Sequence, residues 1–121
     1  MIKSFLLVGF GGALGAMCRY FVGVIWKTNG FPFSTLLINI IGSLIIGIVL
    51  GLSEKNNLIS DQLKLFLATG ICGGFTTFST FSVENMLLIK AGNYVTAAVY
   101  IFTSIVACIL ATFVGFKIIN N

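Results

Sequence analysis

The chain has 121 residues, of which 58% are hydrophobic and only 8% are charged. Soluble domains typically carry about 25% charged residues, so this composition excludes a water-soluble surface and indicates a protein built within a membrane. The net charge of +4 comes from seven basic residues scattered singly along the chain. That scatter excludes a basic patch for nucleic acid and favours anchors at the membrane boundary.

Apolar stretches separated by short polar segments set the organisation of the chain. A spanning helix needs about 20 mainly apolar residues, so there is room for about four or five spans and little else. We predict an all-α integral membrane protein with a single four-span domain over residues 1–121. The spans are expected at about 4–26, 33–53, 63–89 and 94–116. The start of the chain resembles a cleaved leader, but its apolar pattern continues to Trp26, which favours a retained first span.

The first span combines closely spaced glycines with one basic residue. Gly11 and Gly15 form a G-x-x-x-G pair, which lets another helix approach closely and is a packing signal. Arg19 follows one turn later. An ionisable residue inside a membrane is a functional hypothesis by default, although an arginine near a span end also reaches the interface with its long side chain.

The second span carries a narrow face of small and polar residues and is expected to begin at Pro32. The face repeats every four residues and consists of Asn39, Ser43, Gly47 and Gly51. One amide and one hydroxyl in such a row either line a path or bond to a neighbouring helix, and this span alone leaves both interpretations open.

The third stretch is too long for one straight span. Residues 61–90 would extend about 45 Å as a continuous helix, whereas a hydrocarbon core is about 30 Å thick. Adjacent glycines followed by Thr and Ser within 70–82 favour non-helical backbone, so we predict a break near the centre of this helix. Unwound backbone at membrane depth must be buried in protein or line a water-filled path, and its carbonyl groups are natural cation ligands.

Polar side chains also occur within the last two spans. Glu84, near the end of the third, is the one acid expected at membrane depth, and it either serves function or caps or pairs locally. The fourth span repeats the spacing of four with Tyr100, Ser104, Cys108 and Thr112. Two polar rows on two spans favour a functional path more strongly than one row does.

The three cysteines do not predict a metal site. They are Cys18, Cys72 and Cys108, each within an apolar segment, with no C-x-x-C pair and no histidine in the chain. Small apolar fillers are the favoured interpretation.

Basic residues at the two ends of the spans nearly balance. One end collects Lys3, Lys55, Lys64 and Lys117. The other end collects Lys27 and Lys90, and also Arg19 if that residue lies at the boundary. Because such residues normally set orientation, this weak bias allows insertion both ways round, so that two copies meet antiparallel. If Arg19 lies within the membrane, the larger difference favours one orientation, and both interpretations remain open here.

Three segments of the sequence resemble the signature segments of one known family. They are GALGAMCRY at 12–20, TLLINIIG at 35–42 and GICGGFTTFSTFS at 70–82, and they look like those of the Fluc (CrcB) family of bacterial fluoride channels. The resemblance implies an antiparallel, dual-topology homodimer in the inner membrane. It also implies two separate, passive pores through which fluoride leaves the cell and its toxicity is relieved.

The resemblance also implies roles for individual residues. Pore-lining positions would be Asn39, Phe78, Ser79, Thr80, Phe81, Tyr100, Ser104, Cys108 and Thr112. A sodium ion at the dimer centre would be held by the backbone carbonyl groups of Gly73 and Thr76. Cys108 is a weak departure, because a thiol donates less well than a hydroxyl.

These residue types suit a small anion that holds its water tightly. Amide and hydroxyl donors replace hydration without adding a charge that would trap the ion. The edge of an aromatic ring is positive, so Phe78 and Phe81 contribute if their edges point at the ion. Arg19 near a pore mouth would raise the local anion concentration.

Two other classes of function remain as alternatives. A proton-coupled exporter of the small multidrug resistance type also has four spans, but it needs a carboxylate in its first span, and this first span has none. A non-transporting membrane assembly protein would use the glycines and polar rows only for packing. Catalysis is not expected, because no Ser or Cys has a base at a suggestive spacing.

Overall fold

The computed structural model describes residues 1–55 and 57–121, and the regular elements in this part of the chain are all helices. They are α1 (Ile2–Ile25), α2 (Phe33–Glu54), α3 (residues 61–75), α4 (Phe78–Lys90) and α5 (Tyr94–Ile119). Together α3 and α4 form the third span, Asp61–Lys90, and each of the four spans is long and apolar enough to cross a membrane. The prediction of an all-helical, four-span membrane protein is confirmed.

The third span is broken, as predicted, but the glycines are not the unwound residues. Thr76 and Thr77 are extended, with ψ of 156° and 118°, and they separate α3 from α4. Gly73 keeps helical angles, with φ −61° and ψ −38°. The backbone therefore leaves the helix only after the glycine pair.

The middle of α3 departs from regular α-helix. Residues Leu65–Cys72 form a π-helical segment, and Gly73–Phe75 return to α-helix before the break. A π-helical turn holds an extra residue, and such turns are frequent at functional sites. No local feature of the sequence predicts this segment.

Glycines on α1 and α3 bring these two helices into close contact. A Cβ atom added to Gly11 would lie 3.0 Å from Gly70 Cα, and one added to Gly15 would lie 2.8 Å from the backbone nitrogen of Phe75. One added to Gly74 would lie 2.9 Å from Gly12 Cα. The G-x-x-x-G pair of the first span therefore packs within the chain, against the segment that leads into the break.

Small residues also bring α2 against α5. A Cβ atom at Gly47 would overlap the backbone of Thr112, and one at Gly115 would overlap the Leu44 carbonyl oxygen. The Lys55 ammonium donates to the Ile119 carbonyl at 2.9 Å, which ties the ends of the same two helices together. The small-residue face of α2 thus packs on α5 in its second half, while Asn39 and Ser43 in its first half border a cavity.

Candidate functional site

The break between α3 and α4 is fixed by an asparagine from another span. The side-chain amide of Asn39 donates to the Thr77 carbonyl at 3.1 Å, and its oxygen accepts from the Thr77 N–H at 2.8 Å. These two bonds satisfy the donor and acceptor of one extended residue, as a paired strand would. One amide hydrogen of Asn39 is left for another acceptor.

Hydroxyl groups of the break start the next helix. The Thr77 hydroxyl oxygen accepts from the Thr80 N–H at 3.2 Å, which is an N-cap of α4. The same hydroxyl donates to the Thr80 hydroxyl at 3.1 Å. The Thr76 hydroxyl donates to the Cys72 carbonyl at 2.8 Å, which completes the last turn of α3.

Carbonyl groups at the break lose the donors that a continuous helix would supply, and those of Gly73 and Thr76 are two of them. The Thr77 N–H would reach Gly73 and the Thr80 N–H would reach Thr76, but these donors go to Asn39 and to the Thr77 hydroxyl. Carbonyl oxygens in this state suit a hard cation such as sodium. The described residues contain no group of three His, Cys, Asp or Glu side chains that would offer another metal site.

Arg19 lies within α1 at the level of the break. Its Nε donates to the Gly74 carbonyl at 3.2 Å, and its side chain is half-buried. It borders a cavity of about 370 Å³, here called the Arg19 cavity, which Thr80 and Lys27 also line. The terminal nitrogens of the guanidinium remain as donors at this cavity.

A larger cavity of about 480 Å³ lies beside the break and is here called the break cavity. Its lining brings together five residues expected from the sequence to border a pore, namely Asn39, Phe78, Phe81, Ser104 and Cys108. Gly73 and Thr76, expected to hold a cation, line it as well. The two polar rows of α2 and α5 therefore meet at one cavity.

Inside the break cavity, Ser104 has an unusual environment. The residue is only 7% exposed, and its hydroxyl has no hydrogen-bond partner among the described residues. Phe78 is 78% exposed, and its ring centre lies 5.5 Å from that of Phe81 with the planes tilted by 43°. A buried hydroxyl without a partner is costly, so this one is suited to a ligand that accepts a hydrogen bond.

Three of the other expected pore residues lie away from the break cavity. Ser79 is exposed, next to the hydroxyl of Thr77 at 3.4 Å. Thr80 lines the Arg19 cavity. Thr112 donates its hydroxyl to the Cys108 carbonyl at 3.1 Å, and its backbone packs against Gly47.

Tyr100, the remaining member of the polar row on α5, belongs to a cluster around Glu84. Its hydroxyl donates to one carboxylate oxygen of Glu84 at 2.8 Å, and the hydroxyl of Thr35 donates to the other at 3.0 Å. Tyr100 is fully buried, and its ring packs edge-on against Phe81 at 5.0 Å between centres. The sequence analysis missed Thr35, because it lies 49 positions before Glu84 and nothing local in the sequence links the two.

The Glu84 cluster opens towards the loop between α1 and α2. Glu84 and Thr35 line a polar cavity of about 600 Å³, here called the Glu84 cavity, with Lys27 and Trp26 at the same lining. Thr35 and Lys27 also line the Arg19 cavity. The Glu84 cavity and the Arg19 cavity therefore adjoin each other at Thr35 and Lys27.

Comparison with known proteins identifies a family and several relatives. Residues 6–116 match the family described as CrcB-like protein, Camphor Resistance (CrcB). A protein of Azobacteroides pseudotrichonymphae genomovar. CFP2 is 43% identical over 96% of this chain and 95% of its own length. One of Oceanobacillus iheyensis is 44% identical over 97% and 92% of the two chains, and one of Campylobacter fetus subsp. fetus 47% over 93% and 91%. All three carry the name fluoride-specific ion channel FluC.

Proposed function

The chain belongs to the CrcB family, and from that premise we propose that it is a passive, fluoride-selective channel of the bacterial inner membrane. It lets fluoride leave the cell and so relieves fluoride toxicity. The observation that carries this proposal is the similarity of more than nine-tenths of the chain to fluoride-specific ion channels. The chain is a multi-pass membrane protein in contact with lipid, a channel and not an enzyme, and residues 1–121 act as one four-span unit.

The break cavity offers the chemistry that fluoride requires. A pore must replace tightly held water with hydrogen-bond donors, and it must do so without binding the ion too strongly to release it. The unpartnered hydroxyl of Ser104 and the remaining amide hydrogen of Asn39 are neutral donors of this kind. Phe78 and Phe81 add positive ring edges where these face the ion. Cys108 is the weakest donor of the lining.

The proposed pore extends beyond the break cavity. Its nine residues are Asn39, Phe78, Ser79, Thr80, Phe81, Tyr100, Ser104, Cys108 and Thr112. Ser79 and Thr80 lie on the first turn of α4, and the N-terminal end of a helix favours an anion. Thr112 extends the row on α5 one turn past Cys108.

Glu84 controls whether Tyr100 can act as a donor. Its carboxylate accepts the hydroxyl hydrogens of both Tyr100 and Thr35. While that arrangement holds, neither hydrogen is available to an anion, and Tyr100 can serve fluoride only after its hydroxyl turns away from Glu84. We assign Glu84 the role of a functional acid that orients these two donors.

Arg19 has two tasks in this proposal. Its Nε braces the break through the Gly74 carbonyl, and the residue lines the Arg19 cavity. A positive charge at a cavity with low-dielectric walls raises the local concentration of anions. Arg19 therefore attracts fluoride towards the first turn of α4.

The functional unit is an antiparallel homodimer with two pores. Three observations support it: the resemblance to the Fluc family, the exposure of Phe78 at an open cavity, and the weak difference in basic residues between the two ends of the spans. A two-fold axis near the break would bring four carbonyl groups together, those of Gly73 and Thr76 from each copy. Such a set would hold a structural sodium ion, which offsets repulsion between the two anion paths.

The two rival functions receive less support. A small multidrug resistance exporter needs a proton-exchanging acid in its first span, and the one acid expected at membrane depth, Glu84, is in the third span and bonded to two hydroxyls. An assembly protein without transport predicts no ion flux and no dependence on Asn39. All three relatives described above are named as channels.

Anion release from liposomes tests the proposal. Purified protein is reconstituted in vesicles loaded with potassium fluoride or potassium chloride, valinomycin is added to carry potassium, and released anion is followed with ion-selective electrodes. We expect rapid release of fluoride without release of chloride, and loss of fluoride release in Phe78→Ile and in Phe81→Ile.

Phe102→Ile is the matched control, because Phe102 is 71% exposed on α5 and does not line the break cavity. It should release fluoride as the unmodified protein does. Absence of fluoride release from well-folded protein would overturn the channel assignment, and Glu84 would then be the next residue to replace. Equal loss in all three variants would overturn the assignment of Phe78 and Phe81 to the pore.

A further inference from the structure

Side chains at the break divert two backbone donors from their helical partners. In a continuous helix each N–H bonds to the carbonyl four residues earlier. Here the Thr77 N–H donates to the Asn39 side-chain oxygen at 2.8 Å instead of to Gly73. The Thr80 N–H donates to the Thr77 hydroxyl at 3.2 Å instead of to Thr76. Each diversion releases one named carbonyl group.

Three other carbonyl groups of the same segment are occupied, whereas that of Phe75 also has no donor among the described contacts. The Cys72 carbonyl accepts from the backbone N–H and the hydroxyl of Thr76, at 3.0 and 2.8 Å. The carbonyl of Gly74 accepts from Arg19 at 3.2 Å, and that of Thr77 from Asn39 at 3.1 Å. Gly73 and Thr76 thus differ from these three residues in receiving neither a helical nor a side-chain donor among the described contacts.

We propose that Asn39 and Thr77 are positioning residues that create the cation site of this channel. They do so by withdrawing the Thr77 and Thr80 N–H groups, which leaves the carbonyl oxygens of Gly73 and Thr76 able to coordinate a cation. Neither side chain touches the ion. The inference rests on the sodium site in the proposed function, and it assigns to Asn39 a second role beside lining the pore.

The geometry of Asn39 favours this role over that of a simple brace. A brace requires only one strong bond between α2 and the break, whereas Asn39 engages both the N–H and the carbonyl of the same extended residue. Without the Asn39 side-chain oxygen, the Thr77 N–H would bond either to water or to the Gly73 carbonyl. A carbonyl that regains a helical donor has one lone pair fewer for a cation and is no longer held in the extended arrangement.

Sodium-dependent stability of the full-length protein tests the proposal without relying on ion flux. The midpoint of thermal unfolding in detergent is measured against sodium concentration, with N-methyl-D-glucamine chloride keeping the ionic strength constant. We expect a saturable rise of the midpoint in the unmodified protein. In Asn39→Ala and Thr77→Val the half-saturating sodium concentration should rise about 10- to 100-fold, as for other groups that orient metal ligands.

Conservative variants separate positioning from general destabilisation. Thr77→Ser keeps the hydroxyl and should keep the sodium response of the unmodified protein. Ser43→Ala removes a hydroxyl from the same cavity, one turn from Asn39, and should also keep it. If Asn39→Ala does not fold, the comparison of Thr77→Val with Thr77→Ser decides the question.

Two outcomes would overturn the proposal. Lower unfolding midpoints in Asn39→Ala and Thr77→Val, with an unchanged half-saturating sodium concentration, would show that both residues stabilise the fold without affecting the cation site. No sodium response in the unmodified protein would remove the cation site itself. Fluoride release from liposomes reconstituted with the same purified protein distinguishes that second outcome from failure of the channel function, because flux then persists without a sodium effect.

Discussion

Replacing Gly15 by alanine should separate α1 from the segment that leads into the break. A Cβ atom at Gly15 would overlap the Ile71 carbonyl oxygen, and it would lie 2.8 Å from the Phe75 nitrogen and 3.1 Å from the Gly74 carbonyl carbon. All three atoms belong to the backbone, so no side chain can turn away to make room. The helices must therefore shift, and Arg19, one turn along α1, must move relative to the Gly74 carbonyl that it holds.

The size of the effect follows from two opposing terms. Overpacking of a close interface costs about 1–3 kcal/mol, and a clash between two backbones belongs at the upper end of that range. Alanine is favoured over glycine in a helix by about 1 kcal/mol, which partly offsets the cost. We expect Gly15→Ala to lower the free energy of unfolding by about 2 kcal/mol.

Gly12→Ala is the matched control on the same helix. The Cβ atom there would meet only the Gly70 carbonyl oxygen, at 3.9 Å, which is ordinary contact. The helix-propensity term is the same in both variants and cancels between them, so their difference of about 3 kcal/mol measures the overpacking. Unfolding by sodium dodecyl sulfate in mixed micelles, followed by circular dichroism, gives both values. Equal stability of the two variants would refute the assignment of Gly15 to a closely packed interface.

Three further predictions concern the proposed conduction path and its topology. Tyr100→Phe removes the bond to Glu84 and leaves one oxygen of this half-buried carboxylate without its donor, so stability should fall by about 1 kcal/mol and fluoride release should slow; unchanged values of both would contradict the proposed role of the cluster. In a Cys72→Ser background, needed because Cys72 also lines the break cavity, a methanethiosulfonate reagent should block fluoride release through Cys108, with protection in Cys108→Ser and none in Cys18→Ser; block that persists in Cys108→Ser would remove this residue from the path. C-terminal fusions to a cytoplasmic and a periplasmic reporter should both be active if the chain inserts both ways round, whereas activity of only one reporter would contradict dual topology.

The sequence by itself determined the class of the fold. A composition with few charges and four apolar stretches leaves helices as the available spanning structure, because backbone groups in lipid must bond within their own segment. The excess length of the third stretch also required it to tilt, protrude or break. These conclusions depend only on local hydropathy and on the lengths of the apolar stretches, and both are properties of the sequence itself.

Only the tertiary structure shows at which residues the third span breaks. The sequence predicted the break within residues 70–82, and it lies there; Gly73 and Gly74 remain helical, and close contact with α1 accounts for the glycine at position 74. The extended residues are Thr76 and Thr77, where a side chain 38 residues earlier supplies the bonds that the helix gives up. A partner so distant in sequence leaves no local signal of where the helix ends.

The candidate site also depends on contacts between residues that are distant in sequence. The rows on α2 and α5 predicted that Asn39, Ser104 and Cys108 carry polar groups into the interior, since a spacing of four is visible in the sequence. Their meeting at one cavity, and the approach of Thr35 to Glu84 over 49 positions, depend on which faces of the helices pack together. Packing of glycines against distant backbone decides those faces, and only the folded chain specifies which glycine meets which segment.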